Sequence, residues 1–311
     1  MRVVYMGTPQ FAVAPLRALA EAGHEIVGVV TRTDKPAGRG RTLAAPPVKL
    51  AAADLGIDVY QPKRVRDPEF IAVLRKINPE AIVVAAYGQI LPREILTLPQ
   101  YGCINIHASL LPAYRGAAPI NWAIIRGEQE TGNTIMMMDE GMDTGAILIQ
   151  ERIPISPSDT AGDLADRLSS LGAQLITTAL PLIASGACTP VAQDGARATL
   201  APLLKKEDGR VDWNLSAQEI HNRVRGLFPW PGAYSFLDNK TVKIMTTEVV
   251  AGAGEPGRLY EKDKNTLEAG TGSGMLRILT IQPEGRKPMT AGDFLRGHRG
   301  IAGKKFEAPA A

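Results

Sequence analysis

The sequence predicts an α/β protein with a Rossmann-like, mostly parallel sheet domain, followed by a small, OB-like C-terminal β-barrel. Three observations lead to this prediction. Short runs rich in Val and Ile alternate with amphipathic segments over roughly the first half of the chain, and this alternation changes after Ala117. In the C-terminal third, short strand-like segments are separated by Gly and Asn turns. A chain of 311 residues is also long for a single core, which favours two domains.

In the first part of the chain, short apolar runs predict buried strands. These runs are Arg2 to Met6, Glu25 to Thr31, Ile57 to Tyr60, Glu80 to Ala86 and Cys103 to Ile106. Helices are predicted between them at 9–22, 47–55 and 67–77, with proline at or near their first residues and glycine or asparagine just after their ends. Such alternation is typical of βαβ units, so we expect a parallel sheet with helices on both faces.

Beyond Ala117 the predicted elements are a helix at 119–126, strands at 134–138 and 146–153, and a long helix at 159–183. We expect a catalytic domain at 1–189, a linker at 190–205 where periodicity is lost, and a second domain at 206–311. In that second domain a helix at 218–226 precedes five predicted strands. They lie at 233–236, 242–250, 257–260, 266–269 and 275–282.

Bulk composition excludes several classes of protein. No apolar run approaches the ~20 residues of a membrane span, and the apolar stretch near the N-terminus is too short for a signal peptide. Two cysteines without metal-ligand spacing predict neither a disulfide framework nor a metal site. A cytoplasmic protein is therefore expected. The net charge of +3 arises after Lys205, where 16 basic residues face 13 acidic ones, which is either chance or a weak footprint for an anionic partner.

The first strand-to-helix turn argues against a dinucleotide cofactor. It reads Gly7-Thr8-Pro9-Gln10-Phe11, whereas a pyrophosphate-binding turn follows G-x-G-x-x-G. Pro9 also removes a backbone N–H that a phosphate would use. The predicted sheet is therefore a scaffold, and its function has to be inferred from a site.

The candidate chemistry lies at the end of the fifth predicted strand. Asn105 and His107 are two residues apart, so on a strand their side chains share one face. An amide can donate to the oxyanion of an acyl-transfer intermediate, and an imidazole can donate to it and deliver a proton. The alternative is a buried histidine beside an asparagine that ends a strand, which is the better interpretation of an isolated Asn-x-His. The apolar Ser-Leu-Leu-Pro segment that follows favours the site.

A second candidate segment is the acidic turn after the strand predicted at 134–138. We expect Asp143 to orient the imidazole and to hold its positive charge, while Asp139 and Glu140 are also compatible with an ordinary hairpin turn. The turn lacks the alternating ligands of an EF-hand. A covalent mechanism is not expected, because the chain has no Gly-x-Ser-x-Gly elbow and no cysteine beside a histidine.

Together these motifs resemble the 10-formyltetrahydrofolate-dependent formyltransferases. The residues that match are the run from Asn105 to Pro112, the following Tyr114-Arg115-Gly116, and the run from Met138 to Gly145. The resemblance implies Asn105, His107 and Asp143 as catalytic residues, 10-formyltetrahydrofolate as the formyl donor, and no metal. It also implies a folate site made of Tyr87, Gly88, Gln89, Ile90, Leu91, Ser109, Leu110, Leu111, Pro112 and Asp139. Ala113-Tyr114 departs from the Arg-Trp of many relatives, and we expect this to leave the catalytic residues untouched.

Three further features resemble the branch of that family that acts on tRNA. They are the opening Gly7-Thr8-Pro9-x-Phe11, the basic loop at 32–41, and a C-terminal barrel containing Phe228-Pro229-Trp230-Pro231-Gly232-Ala233. The resemblance implies initiator Met-tRNA as partner and Lys35, Arg39 and Arg41 as tRNA-binding residues. A monomer is expected. Two alternatives remain open: a sugar-nucleotide formyltransferase, and a catalytically silent RNA-binding relative.

Overall fold

The structure is a computed structural model that describes residues 1–37, 42–298 and 300–307. Its contacts divide the chain into two compact units. The first unit comprises residues 1–119, 130–154 and 165–202, and the second comprises 120–129, 155–164 and 203–311. The two units are described separately below.

The strands of the first unit run from β1 to β11 in chain order. They are β1 (Arg2–Gly7), β2 (Glu25–Val30), β3 (Lys35–Ala37), β4 (Thr42–Ala44), β5 (Val59–Tyr60), β6 (Ala81–Ala85), β7 (Cys103–His107), β8 (Arg115–Gly116), β9 (Glu130–Met137), β10 (Ile147–Pro154) and β11 (Leu200–Ala201). The helices of this part of the chain are α1 (Val13–Glu21), α2 (Pro47–Asp54), α3 (Pro68–Ile77), α4 (Arg93–Leu96), α5 (Pro119–Ile125) and α6 (Ala161–Ala184).

Seven of these strands form the main sheet in the order β10-β9-β7-β6-β1-β2-β5. The five strands from β7 to β5 are parallel, as the βαβ pattern predicts, while β9 and β10 each run antiparallel to their neighbours. In the register of β7 against β9, His107 lies opposite Thr134 and Ile104 lies opposite Met137. The predicted Rossmann-like sheet is confirmed.

The two faces of β7 differ in what they contact. Cys103 belongs to a buried apolar cluster with α3 and α4, and its thiol lies 3.5 Å from the carbonyl oxygen of Ile95. Ile106 faces the other side of the sheet, where it meets Gly172 of α6. Side chains alternate along a strand, so Asn105 and His107 lie on the face of Cys103. This confirms the prediction that the amide and the imidazole share one face.

The prediction for β9 was wrong at its start, because the strand begins at Glu130 and not at Thr134. The segment Glu130-Thr131-Gly132-Asn133 resembles a turn in the sequence. In the structure Thr131 and Asn133 are buried, and the Asn133 amide donates to the carbonyl oxygen of Leu168 at 2.6 Å. Tertiary hydrogen bonds therefore bring polar residues into a strand that polarity alone would not predict.

The second unit is an antiparallel sheet packed around an apolar core. It contains α7 (Ala217–Gly226), β12 (Ala233–Leu237), β13 (Lys240–Val250), β14 (Leu259–Asp263), β15 (Thr266–Gly270), β16 (Met275–Pro283), β17 (Met289–Thr290) and α8 (Ala291–Gly297). The main strand order is β12-β13-β16-β15-β14, with β17 on β16. The backbone N–H of Glu307 donates to Phe236 of β12, and that of Leu259 in β14 donates to Lys304. The C-terminal segment thus joins both edge strands and closes the predicted small β-barrel.

Several short elements were not predicted. The hairpin of β3 and β4, the pair β8 and β11, strand β17 and helices α4 and α8 each have seven residues or fewer. Periodicity needs a longer window than such segments provide. One of them lies in the segment predicted as a linker: Leu200 and Ala201 pair with Arg115 and Gly116, and residues up to 202 belong to the first unit.

The close approach of α6 to the sheet gives a stability prediction. A Cβ atom added at Gly172 would lie 2.8 Å from Cγ2 of Ile106 and 3.0 Å from Nδ2 of Asn133. Gly172→Ala should therefore lower the free energy of unfolding by about 1–3 kcal/mol through overpacking, despite the better helix propensity of alanine. Urea unfolding followed by circular dichroism measures this change.

The matched control is Gly162→Ala in the same helix. Its Cβ atom would meet its nearest neighbours, Thr160 and Pro229, at 3.5 and 3.6 Å, which is ordinary van der Waals contact. This variant should be as stable as the parent or up to about 1 kcal/mol more stable. Equal stability of both variants would mean that α6 does not pack as closely on the sheet as described.

Candidate active site

The imidazole of His107 lies at the end of β7 between two oxygen atoms. Its Nε2 atom is 2.9 Å from the carbonyl oxygen of Tyr114, and its Nδ1 atom is 3.6 Å from Oδ2 of Asp143. A carbonyl oxygen can only accept, so Nε2 carries a proton in this arrangement. Nδ1 then faces the carboxylate at a distance slightly beyond a direct hydrogen bond. The ring is thus oriented by a hydrogen bond to Tyr114 and by a longer contact with Asp143.

Asp143 reaches this ring because its loop folds back over the sheet. β9 is antiparallel to β7, so its last residue lies beside Ile104 and away from His107. The loop that follows returns along β7 and ends on Asp143, whose backbone has a φ of 55°. Aspartate is among the few residues other than glycine that adopt this left-handed conformation readily.

The carboxylate of Asp143 accepts hydrogen bonds from two groups. The backbone N–H of Gly116 donates to Oδ2 at 2.8 Å, and the Asn105 amide donates to Oδ1 at 3.4 Å. Asn105 and His107 are 9% and 5% exposed, whereas 17% of the Asp143 side chain is exposed. The three predicted catalytic residues therefore form one connected cluster in which an acceptor-only carboxylate touches a buried amide and a buried imidazole.

A cavity of about 280 Å³ opens beside Asp143. Four of the predicted folate residues, Gln89, Ile90, Leu91 and Asp139, line it together with Asp143. The remaining lining residues are Met136, Met138, Glu140, Gly141 and Met142. Ile90 and Met142 are 89% and 63% exposed, so large apolar side chains remain open to solvent here. Such a site suits a flat, partly apolar ligand held by a few polar groups.

The loop that begins with Tyr87 is fixed by hydrogen bonds at its base. The Gln89 amide donates to the hydroxyl oxygen of Tyr87 at 3.2 Å, and its carbonyl oxygen accepts from the N–H of Val65 at 2.9 Å. Burial raises the pKa of the Tyr87 hydroxyl to about 12, so this side chain stays neutral at physiological pH. Arg32 donates to the carbonyl oxygen of Gly88. The loop is therefore ordered where it meets the cavity.

The predicted folate residues Ser109, Leu110, Leu111 and Pro112 lie outside the lining of this cavity. Thr134 holds their segment in place: its hydroxyl donates to the Ser109 carbonyl at 2.7 Å and accepts from the Leu111 N–H at 3.1 Å. Leu111 is joined to Pro112 by a cis peptide bond. A folate contact for these four residues stays a prediction.

The basic loop is described only in part. Lys35 is exposed on β3, whereas Arg39 and Arg41 lie outside the described residues. At the start of the loop, Asp34 accepts from Gln61 at 2.8 Å and from Lys49 at 2.8 and 2.9 Å, and these hydrogen bonds lower the pKa of its carboxyl group. Within the described residues, the Asp34 carboxylate is thus bound by Lys49 and Gln61.

Sequence reasoning missed the role of two segments in building the site. Met136 near the end of β9 and Met138 just after it line the cavity, and their two-residue spacing is a signal that the sequence contains. Gln193 contacts the main chain of Asp143, although its segment was predicted to be a linker. The Tyr114 carbonyl accepts from His107, a main-chain contact that does not depend on the Ala113-Tyr114 side chains, so the expectation for this departure stays a prediction.

In the described ranges 1–37, 42–298 and 300–307, no group of three or more His, Cys, Asp or Glu side chains is arranged to bind a metal ion. The helices within those ranges include none that is long and apolar enough to cross a membrane.

The sequence matches two family descriptions that together cover most of the chain. Residues 1–180 match "Formyl transferase", and residues 203–299 match "Formyl transferase, C-terminal domain". The chain therefore belongs to the formyl transferase family.

Curated relatives narrow this membership. The methionyl-tRNA formyltransferase of Citrifermentans bemidjiense is 50% identical over 309 residues, which cover 98% of this chain and 97% of the relative. That of Thermodesulfovibrio yellowstonii is 52% identical over 297 residues, with 96% of both chains covered. Within the family, the chain falls among the methionyl-tRNA formyltransferases.

Solved structures show the same fold at much lower identity. WlaRD, a sugar 3N-formyl transferase, superposes with a TM-score of 0.68 at 20% identity, covering 92% of this chain and 99% of its own. HypX from Aquifex aeolicus in complex with tetrahydrofolic acid superposes with a TM-score of 0.65 at 18% identity, covering 99% of this chain and 51% of its own. At such identities the likeness concerns the fold alone.

The position of Thr134 gives a prediction for the site's framework. Thr134→Val keeps the shape of the side chain but leaves the buried Leu111 N–H without its acceptor and the Ser109 carbonyl without its donor. The free energy of unfolding should fall by about 1–3 kcal/mol, as measured by urea unfolding. Thr134→Ser keeps the hydroxyl and should lose less. If Thr134→Val were as stable as the parent, the hydrogen bonds of the hydroxyl would not be what holds this segment.

Proposed function

We propose that the protein transfers the formyl group of 10-formyltetrahydrofolate to the α-amino group of the methionine carried by initiator tRNA. The observation that carries this proposal is the meeting of Asn105, His107 and Asp143 beside a partly apolar cavity. Formyl transfer between two amines needs donors for an oxyanion and a route for protons, and this cluster offers both. The formyl acceptor, methionyl-tRNA, is inferred from the names of the relatives.

In the proposed mechanism the unprotonated amine attacks the formyl carbon bound to N10 of the folate. The carbonyl oxygen becomes an oxyanion, which accepts hydrogen bonds from the Asn105 amide and the His107 imidazole. The tetrahedral intermediate collapses as the C–N10 bond breaks, and His107 delivers a proton to N10. Asp143 orients the imidazole, holds its charge and organises a water that removes the proton of the attacking amine.

The geometry supports these roles in two ways. The Asn105 amide donates to Asp143 at 3.4 Å, a long hydrogen bond that a stronger oxyanion acceptor can replace. Nδ1 of His107 is 3.6 Å from the Asp143 carboxylate, too far for a short hydrogen bond. The carboxylate therefore orients the ring and leaves Nδ1 available to donate to the oxyanion. Both donors are buried, and hydrogen bonds to a developing charge are stronger in such surroundings than in water.

The folate is proposed to enter the cavity beside Asp143. Gln89, Ile90 and Leu91 supply one side, and Asp139 lies on the other. Tyr87 and Gly88 support that loop, and the segment from Ser109 to Pro112 borders the catalytic strand. The proposed chemistry uses the folate as a cosubstrate and requires no metal ion, because the amide and imidazole donors stabilise the charge.

The tRNA is proposed to bind the basic loop and the C-terminal barrel. Lys35, Arg39 and Arg41 would neutralise phosphates of the acceptor stem. Residues 1–189 are the proposed catalytic domain, 190–205 the connection, and 206–311 the tRNA-binding domain. We also infer a cytoplasmic monomer, since one chain contains every group that the mechanism uses.

A comparison of formyl acceptors tests the proposal directly. With 10-formyltetrahydrofolate as donor, the protein is supplied in turn with Met-tRNA, glycinamide ribonucleotide and an amino-sugar nucleotide. Formylation of Met-tRNA at a kcat/KM at least about 100-fold above the others is expected, because only tRNA uses the basic loop. A preference for the amino-sugar nucleotide would overturn the proposal and support a sugar-nucleotide formyltransferase instead.

Removal of either donor should abolish most of the activity. His107→Ala and Asn105→Ala should each lower kcat at least about 100-fold, while the Kd for folate changes little, because both groups act mainly on the transition state. Steady-state kinetics on Met-tRNA and equilibrium binding of the folate separate the two effects.

His24→Ala is the matched control for the histidine variant. His24 lies in the turn between α1 and β2 and is not part of the site. Its kcat should equal that of the parent. If either His107→Ala or Asn105→Ala kept near-normal turnover, the proposed oxyanion site would be wrong.

The basic loop should matter for tRNA alone. Arg39→Ala should lower kcat/KM on Met-tRNA without changing folate binding, and each lost phosphate contact should reduce the log-log salt slope of tRNA binding by about 0.7–1. Arg17→Ala, which removes an exposed arginine paired with Asp54, is the control. Equal kcat/KM for Arg39→Ala and the parent would mean that Arg39 does not contribute to tRNA binding. The proposed tRNA contact would then rest on the C-terminal barrel.

A further inference from the structure

A strap formed by residues 191–201 lies against the candidate site. We propose that Gln193 and Thr199 of this strap are positioning residues: Gln193 holds the turn of Asp143, and Thr199 holds the carbonyl group that orients His107. The inference rests on the proposed function, because it assigns to these residues a part in the alignment of its catalytic cluster. Neither residue is among the predicted site residues.

Gln193 binds both sides of the turn that contains Asp143. Its Nε2 atom donates to the carbonyl oxygen of Asp143 at 2.9 Å and to that of Gly145 at 2.7 Å. An amide nitrogen has two hydrogens in a fixed plane, so one side chain satisfies both carbonyls only when they stand in one relative orientation. The position of Asp143 within the loop is thereby fixed through its main chain.

The turn needs such support because its conformation is not the one a free chain prefers. Asp143 has a φ of 55°, which costs energy for a residue with a side chain. Gly145 approaches the backbone so closely that an added Cβ would lie 1.8 Å from the carbonyl oxygen of Met137. Contacts from outside the loop are required to hold such a turn in one arrangement.

The carbonyl oxygen of the Gln193 side chain links it to Asp143 by a second route, through Arg115 and Gly116. Its Oε1 atom accepts from Nε and Nη2 of Arg115 at 3.1 and 2.8 Å. Arg115 is followed by Gly116, whose N–H donates to the Asp143 carboxylate at 2.8 Å. The main chain and the carboxylate of Asp143 are therefore both linked to Gln193, one directly and the other through residues 115 and 116.

Thr199 supports the second partner of the imidazole. Its hydroxyl accepts from the N–H of Tyr114 at 2.9 Å, and its carbonyl accepts from the N–H of Arg115 at 2.8 Å. Tyr114 has a φ of 63° and offers its own carbonyl to Nε2 of His107. At Gly116 the strap is so near that an added Cβ would lie 2.6 Å from the carbonyl oxygen of Ala201. The strap thus fixes the segment that orients the ring.

Both residues act through others and touch no reacting atom in this arrangement. A displacement of Asp143 or His107 by about 1 Å is enough to cost roughly 100-fold in rate. Loss of the strap contacts should therefore lower kcat. Residues 138–143 of the same turn line one side of the folate cavity, while Gln89, Ile90 and Leu91 line the other, so a smaller change in folate KM is expected as well.

Two substitutions at Gln193 separate positioning from simple packing. Gln193→Ala removes all four hydrogen bonds, and Gln193→Glu keeps the acceptors for Arg115 but replaces the donors to Asp143 and Gly145 with an oxygen atom. Both should lower kcat about 10- to 100-fold with less than about a threefold change in the folate KM. Gln129→Glu, on an exposed side chain that donates to the carbonyl oxygen of Gly127, is the matched control and should keep the parent kcat. Parent-like activity of Gln193→Glu would mean that only the Arg115 contact matters, which would overturn the proposal.

Thr199 provides an independent variant on an exposed position. Thr199→Val removes the acceptor of the Tyr114 N–H at nearly constant shape and should lower kcat about tenfold, whereas Thr199→Ser should restore it. If Thr199 served stability alone, its substitution would lower the melting temperature. At a temperature where both variants are folded, the valine and serine variants would then have the same kcat. Equal kcat for the valine and serine variants would overturn the role of Thr199.

Amide hydrogen exchange distinguishes failure of this inference from failure of the proposed function. In Gln193→Ala the amides of residues 138–146 should exchange about tenfold faster than in the parent, while those of β1 and β6 stay unchanged. Unchanged exchange in the turn would overturn the positioning role whatever the activity. Faster exchange, together with a parent that formylates none of the acceptors, would support the positioning role and reject the proposed function.

Discussion

The imidazole of His107 is held between a carbonyl oxygen and a carboxylate, and much of the first unit is arranged to supply these two atoms. Neither comes from the strand of the histidine. The carbonyl belongs to Tyr114, and the carboxylate belongs to Asp143 in a loop that returns over the sheet. A buried ring requires partners for its polar atoms, because an unsatisfied group would cost more than most single contacts contribute. The requirement couples the ring to two backbone segments that only the folded chain brings together.

Both partners stand in left-handed conformations, Tyr114 at a φ of 63° and Asp143 at 55°. Such conformations persist where surrounding contacts determine them, and they are common at functional sites. Here the surrounding contacts come from β9 on one side and from residues 191–201 on the other. The cavity beside Asp143 is comparatively open, with Ile90 and Met142 exposed. An open cavity beside the three candidate residues suits the proposed reaction, whose donor and acceptor both bind and leave.

The long, regular elements were predictable, because their periodicity extends over many residues. This applies to the five parallel strands, to α6 and to the barrel strands. The start of β9 was not predictable, since polarity does not reveal that Thr131 is buried or that the Asn133 amide donates to Leu168. The three catalytic candidates were found through two motifs, and the structure brings all three together. Gln193 and Thr199 could not be found in this way, because their importance arises from contacts with segments about 50 and 85 residues away along the chain.

By itself, the sequence determined the class of fold, the strand that bears Asn105 and His107, and the resemblance that suggested formyl transfer. Strand alternation alone places both side chains on one face, so no tertiary information was needed for that pair. Only the tertiary structure decided that β9 is antiparallel, so that Asp143 reaches His107 through a returning loop and not from the end of a neighbouring strand. It also decided that the segment after Val191 contacts the main chain of Asp143 and Tyr114. Periodicity reports local burial, whereas the direction of pairing and the partners of main-chain groups depend on residues far apart in the chain.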